Sequence, residues 1–149
     1  MSLEQKIMQD LKAAMKAKDQ QALRSIRAIK AAILLEKTSG SNQELNEEGE
    51  IKLLQKLVKQ RKDSLEIYKK EGRDDLAKVE EEEVAVIEKY LPEQMGAEEL
   101  QAEVDKIIAE TGASSMKDMG KVMGIATKRF AGRAEGKAIS AAVKDKLSN

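Results

Sequence analysis

The chain has 149 residues, its 27 Lys and Arg balance 27 Asp and Glu, and aromatic residues make up only 2%. It holds no cysteine and no histidine, which excludes disulfides, thiol nucleophiles, Cys/His zinc sites and the commonest general base. Ala, Leu, Lys, Glu, Gln and Met dominate, a helix-former's vocabulary, and no segment alternates like a strand.

The start Met1–Lys6 mixes charges at once and has no long apolar core. It reads as neither a signal peptide nor a membrane span, and the chain is expected to be cytoplasmic. Ser2-Leu3-Glu4-Gln5 is a capping box opening a first helix to about Ala17, with Leu3, Ile7, Leu11, Ala14 and Met15 as its apolar sector. Lys18 breaks it, and Asp19 caps a second helix over about Gln20–Lys37 that buries Leu23, Ile26, Ile29, Ile33 and Leu34. Thr38-Ser39-Gly40-Ser41-Asn42 is a polar loop.

A third, longest helix is capped near Asn46, and Ile51, Leu54, Val58, Arg61, Leu65 and Tyr68 step along it by threes and fours. Arg61 interrupts this seam, so either its stem snorkels or it pairs with a glutamate of the Glu80–Glu83 run on a neighbouring helix. Gly72 is a C′ stop, and Asp74 is expected to cap a fourth helix holding Leu76, Val79, Val86, Ile87 and Tyr90. The Glu80–Glu83 run itself reads as a solvated face, with metal binding the minor alternative because consecutive helical residues point in different directions.

Leu91-Pro92-Glu93-Gln94-Met95-Gly96 contains the sole proline, which ends the helix and marks a boundary between domains 1–95 and 96–149. Beyond it come a fifth helix over about Ala97–Glu110, a stop at Gly112, a cap at Ser114 or Ser115, a sixth helix over Met116–Phe130 and a seventh from about Gly136 to Leu147. The fold class is all-α. On the sixth helix Lys117, Lys121, Gly124 and Lys128 share one face, opposite Met119, Val122, Met123, Ala126 and Phe130. Arg129 and the connector Gly132-Arg133-Ala134-Glu135-Gly136-Lys137 add charge, and residues 112–149 carry 8 basic against 3 acidic side chains.

A glycine inside a helix costs up to about 1 kcal/mol relative to Ala. Gly124 in the cationic stripe therefore suggests close approach of another backbone, either a helix or a phosphate chain. Lys137 stands near the start of the last helix, where unpaired amides and the dipole favour anions, and Arg129 and Arg133 are expected to converge there. The candidate nucleic-acid contacts are Lys117, Lys121, Gly124, Lys128, Arg129, Gly132, Arg133 and Lys137. With few aromatics to stack bases, structured RNA read by shape and backbone fits better than a single strand. No catalytic set, metal site or cofactor site is expected. Ser39-Gly40-Ser41 is a loop signature, and Gly120-Lys121 and Gly136-Lys137 lack the rest of a phosphate loop.

Met119-Gly120-Lys121-Val122-Met123-Gly124, Lys128, Gly132-Arg133-Ala134-Glu135-Gly136 and Val143 to Leu147 resemble the tail of the GatB/YqeY family, and Leu91-Pro92-Glu93-Gln94-Met95 resembles its interdomain segment. The likeness covers essentially the whole chain and is closest to the free-standing YqeY proteins. It implies a four-helix N-terminal domain and a three-helix C-terminal domain like the tRNA-contacting tail of the amidotransferase B subunit. It implies tRNA as partner, with an aminoacyl-tRNA synthetase or amidotransferase as a protein partner; the lack of a long apolar segment separately leads to the expectation of no membrane partner. Glu135-Gly136 departs from the Asn-Pro or Asp usual before the last helix of that tail. Two other functions are open: a protein–protein adaptor without RNA, and, by kinship with the amidotransferase alone, a carbon–nitrogen ligase using glutamine.

Overall fold

The computed structural model describes residues 2–39 and 45–148. Gly40, Ser41 and Asn42 of the expected loop, and with them the Ser39-Gly40-Ser41 signature, lie outside the described residues. Among the described residues the fold is all-α, with seven α-helices and one 3₁₀ turn. The chain divides into two compact units, Met1–Pro92 and Glu93–Asn149.

In the N-terminal unit α1 spans Leu3–Ala17, α2 Gln20–Thr38, α3 Glu47–Lys70 and α4 Asp74–Glu88. Local chemistry sets most of these limits. The Ser2 hydroxyl accepts from the Gln5 amide at 3.2 Å while the Gln5 side chain accepts from the Ser2 amide at 3.0 Å. Asp19 caps α2 through the Ala22 amide at 3.1 Å, and Asn46 caps α3 through the Gly49 amide at 2.8 Å. Acidic Glu47, Glu48 and Glu50 in the first turn of α3, and Lys69 and Lys70 in its last, complement the helix dipole. At its end Gly72 takes φ 71°. The Arg73 amide reaches back to the Tyr68 carbonyl at 2.8 Å and the Gly72 amide to that of Lys69 at 3.2 Å, the two bonds of a Schellman stop.

Ile7, Leu23, Ile26, Ile29, Ile33, Leu54, Val58 and Ile87 form the core of this unit. The Tyr90 hydroxyl donates to Asp10 at 2.6 Å, and the Lys6 ammonium lies 5.4 Å from the Tyr90 ring centre. Burial and the Asp10 carboxylate push the Tyr90 hydroxyl well above the usual tyrosine range.

Several expectations for this unit are corrected. Asp74 is the first residue of α4 rather than its cap, because Arg73 occupies that position, its side chain bonding the Asp75 carboxylate rather than capping a helix amide. Leu34 and Met15 lie outside the core at 62% and 55% exposure. Above all, the Glu80–Glu83 run is not a solvated face. Ala77, Glu80, Glu83 and Ile87 step by three and four along the inward side of α4, so the helical period carries two carboxylates inside with the apolar residues.

The interruption at Arg61 explains why these acids are tolerated there. Its guanidinium lies 2.9 Å from Glu83 and 3.7 Å from Glu80, and Arg24 of α2 donates to Glu83 at 3.3 Å and meets Glu82 at 3.4 Å. The 2.9 Å approach to Glu83 Oε2 is a charge contact off the line of a hydrogen bond, since that oxygen has no aligned donor. Burial raises the Glu80 carboxyl above its ordinary value, the neighbouring Glu83 adding to the rise and Arg61 opposing it.

In the C-terminal unit α5 spans Ala97–Thr111, α6 Met119–Arg129 and α7 Gly136–Ser148. Leu100, Val104, Ile107, Val122, Ala126, Phe130, Ile139, Val143 and Leu147 make a second core. Gly112 closes α5 at φ 68°. The expected sixth helix begins later than its period suggested, since Met116–Asp118 is a 3₁₀ turn capped by Ser115. Asp118 explains the delay: its carboxylate accepts from the Ser114 and Ser115 amides at 2.9 and 3.3 Å, which closes a tight turn before α6 can start. Those two bonds, with help from Lys121, hold the Asp118 carboxyl below its usual range.

Candidate nucleic-acid interface

The sixth helix presents two surfaces, one inside and one bare. Val122, Ala126 and Phe130 are buried in the core, while Lys121, Gly124 and Lys128 are exposed on the far side. Lys117 is exposed on the preceding 3₁₀ turn. Lys121 and Lys128 stand seven residues apart, about 10 Å of helix rise. Among the described residues no carboxylate makes an ion pair with Lys117, Lys121, Lys128 or Lys137.

Gly124 has a second glycine one turn before it, Gly120, on the same side of α6. A Cβ built on either would meet nothing within 4 Å. Packing inside the unit therefore does not require glycine at these positions, although each lowers helix propensity by about 1 kcal/mol. The result is a strip of uncovered backbone beside a row of unpaired lysines. The sequence pointed to Gly124 but treated Gly120 only as a fragment of a phosphate motif. Its spacing of four from Gly124 was the available signal.

The arginines do something different. Arg129 forms a two-pronged pair with Glu110, which raises the Arg129 pKa further and holds the Glu110 carboxyl below its usual range. Arg133 donates to the Glu93 carbonyl and to Glu99, each at 3.0 Å. Glu99 and Glu110 stand eleven residues apart, about 16 Å along α5, so the two guanidinium groups are held at opposite ends of one helix and do not converge. Lys137 is exposed in the first turn of α7.

Gly132 is a turn residue at φ 78° whose carbonyl accepts from the Gln94 side chain at 2.6 Å. The neighbouring Arg133 carbonyl accepts from the Met95 amide at 2.9 Å. Gln94 and Met95 and the glycine connector, separate in sequence, are thus tied together within the C-terminal unit. Among the described residues no group of three or more acidic, His or Cys side chains is placed to hold a metal, and no helix is long and apolar enough to cross a membrane.

Two all-α units, the second a three-helix unit with a lysine-lined glycine strip, define a helical protein. The chain belongs to the YqeY-like protein family, whose model matches residues 4–147. Among curated proteins it is similar to altered inheritance of mitochondria protein 41 of Lachancea thermotolerans, 34% identical over 111 residues, covering 73% of this chain and 59% of that protein. The protein of the same name from Eremothecium gossypii is 35% identical over 106 residues, covering 70% and 58%, and that of Meyerozyma guilliermondii 39% over 85, covering 57% and 44%. The match spans less than three fifths of the length of each. These relatives are named as mitochondrial, which overturns the expectation of a cytoplasmic protein.

Proposed function

We propose that the C-terminal unit binds tRNA or another folded RNA through the exposed face of α6, and that the protein serves as a non-catalytic accessory to tRNA-dependent chemistry. The observation that carries this reading is the pair of helical glycines, Gly120 and Gly124, that no packing contact explains, set beside lysines that make no ion pair among the described residues, although Asp118 lies near Lys121. Bare backbone lets a phosphate chain approach within hydrogen-bond reach, and Lys117, Lys121 and Lys128 supply charge along the same line. Lys137, in the first turn of α7, adds a further cation at the positive end of the helix dipole.

Arg129 and Arg133 act in this reading as braces. They fix α6 and the glycine connector to the two ends of α5, and so hold the lysine row in one geometry. A synthetase or amidotransferase carrying the same tRNA is the protein partner that this role implies.

The test is titration of the purified protein against total tRNA and against a DNA duplex, at about 50 and about 200 mM salt. About four phosphate contacts lower affinity on the order of a hundredfold across that range. Binding to tRNA that exceeds the duplex at the higher salt supports the reading. Equal, weak binding to both that disappears with salt refutes it.

A further inference from the structure

We propose that the outer face of the α1–α2 hairpin is a docking groove for an acidic amphipathic helix of a protein partner. The site lies in the N-terminal unit and stands independently of the RNA reading. Its floor is made by Ile7 and Ile33, and its walls by Met8 and Leu34, with Lys30 and Lys37 at the edge. Met15 continues the wall, since Met8 and Met15 are seven residues apart on one side of α1. Large apolar side chains are thus left in water in a row, and two of the three are thioethers, which adapt to the shape of what packs on them.

The rim identifies the occupant. Lys30 lines the groove on α2, Lys12 and Lys16 stand beside Met15 where α1 runs on from it, and none of the three makes an ion pair among the described residues. The single carboxylate lining the groove, Glu4, is already paired with Lys37 at one end. An apolar trough between unneutralised cations is complementary to a helix whose apolar stripe is flanked by Asp and Glu. From Glu4 to Lys16 α1 rises about 18 Å, the length of a helix of about twelve residues.

Two other occupants fit less well. The hollow between Met8 and Leu34, at about 220 Å³, is smaller than the roughly 300–1,000 Å³ of small-molecule sites, and the one beside Met15 is walled by α1 alone. A lipid surface is flat and would meet the rim without reaching Ile7 or Ile33 at the floor.

The experiment uses the full chain and three labelled fourteen-residue helical peptides. One has a Leu stripe flanked by Glu, one has the same stripe flanked by Lys, and one is a scramble of the first. Fluorescence anisotropy should show binding of the acidic peptide alone. Met15→Asp with Leu34→Asp should weaken it at least tenfold; both positions are well exposed, so circular dichroism should be unchanged. Lys12→Glu with Lys30→Glu should exchange the preference, losing the acidic peptide and gaining the basic one. No binding, or equal binding of acidic and basic peptides, overturns the proposal. So does binding to vesicles of three parts phosphatidylcholine to one part phosphatidylserine that depends on Leu34, or Leu34-dependent self-association in sedimentation, since each assigns the face to another occupant.

Discussion

Replacing Glu83 by Ala tests whether the acidic run of α4 is structural. The Glu83 side chain is 7% exposed and lies 2.9 Å from Arg61 and 3.3 Å from Arg24, whose side chains are 32% and 47% exposed. At an effective dielectric near 20, each contact is worth about 5 kcal/mol of gross attraction. Most of this is offset by the desolvation of the carboxylate. The half-exposed Arg24 regains water when its partner is lost, so its share falls to that of a surface pair, below about 1 kcal/mol. Arg61 keeps Glu80 at 3.7 Å, which softens the loss further. A net destabilisation of about 2 kcal/mol remains.

Both tyrosines, Tyr68 and Tyr90, lie in the N-terminal unit and the chain has no tryptophan, so tyrosine emission in urea follows this unit alone. With a slope of about 1–1.5 kcal/mol per molar urea for a unit of this size, the midpoint should fall by 1–2 M, roughly. Glu81→Ala, two residues away on the exposed side, should move it by less than about 0.5 kcal/mol equivalent. Equal shifts for the two variants would refute the buried network.

The Glu80 carboxyl titrates above its unfolded value, so its contribution to stability is fully present below the unfolded pKa and is lost as pH rises through the folded one. The Glu80→Gln variant should therefore gain stability relative to the parent as pH rises from about 4 to about 7; urea midpoints at both values check the sign. The Ser25 hydroxyl is buried without a hydrogen-bond partner among the described residues, and Ser25→Ala should raise the same midpoint by the equivalent of about 1 kcal/mol. Gly124→Ala meets no obstruction and should stabilise the C-terminal unit by about 0.5–1 kcal/mol, read from slower amide exchange in α6, while tRNA affinity falls. A stabilised variant with unchanged affinity would remove the close-approach role of that glycine.

Much of the fold was legible because its limits are written in local chemistry. Ser2 with Gln5, Asp19, Asn46, Gly72 and Gly112 each act within a few residues of themselves, and the helical period found both cores. The run Glu80–Glu83 was not legible from its own helix, since four successive acids look solvated until Arg61 and Arg24 arrive from other helices. The misfit of Arg61 in an apolar seam was the one trace of that network, and pairing it with these glutamates was one of the two expectations it raised. Leu34 and Met15 were misassigned for a related reason: the period marks which residues share a side, but not how wide a side the partner helices cover.

At the candidate interface, the lysine row and Gly124 could be read from spacing alone. The fate of Arg129 and Arg133 could not, because their partners Glu110 and Glu99 lie on α5, 19 and 34 residues away in sequence. Net charge counts these arginines as available, whereas geometry shows them engaged. The 3₁₀ turn at Met116–Asp118 escaped as well, since the Asp118 bonds to two preceding amides compete with a helix that the apolar period alone would have started three residues earlier.

The most direct test of the RNA reading is the salt dependence of tRNA affinity for the parent and for Lys121→Ala with Lys128→Ala. If these lysines each displace a counterion, the slope of log affinity against log salt becomes shallower by about 1 for each lysine removed, roughly 2 in all, and the affinity at low salt falls with it. An unchanged slope in a folded double variant would contradict the account, because the exposed face of α6 would then not be where RNA is held.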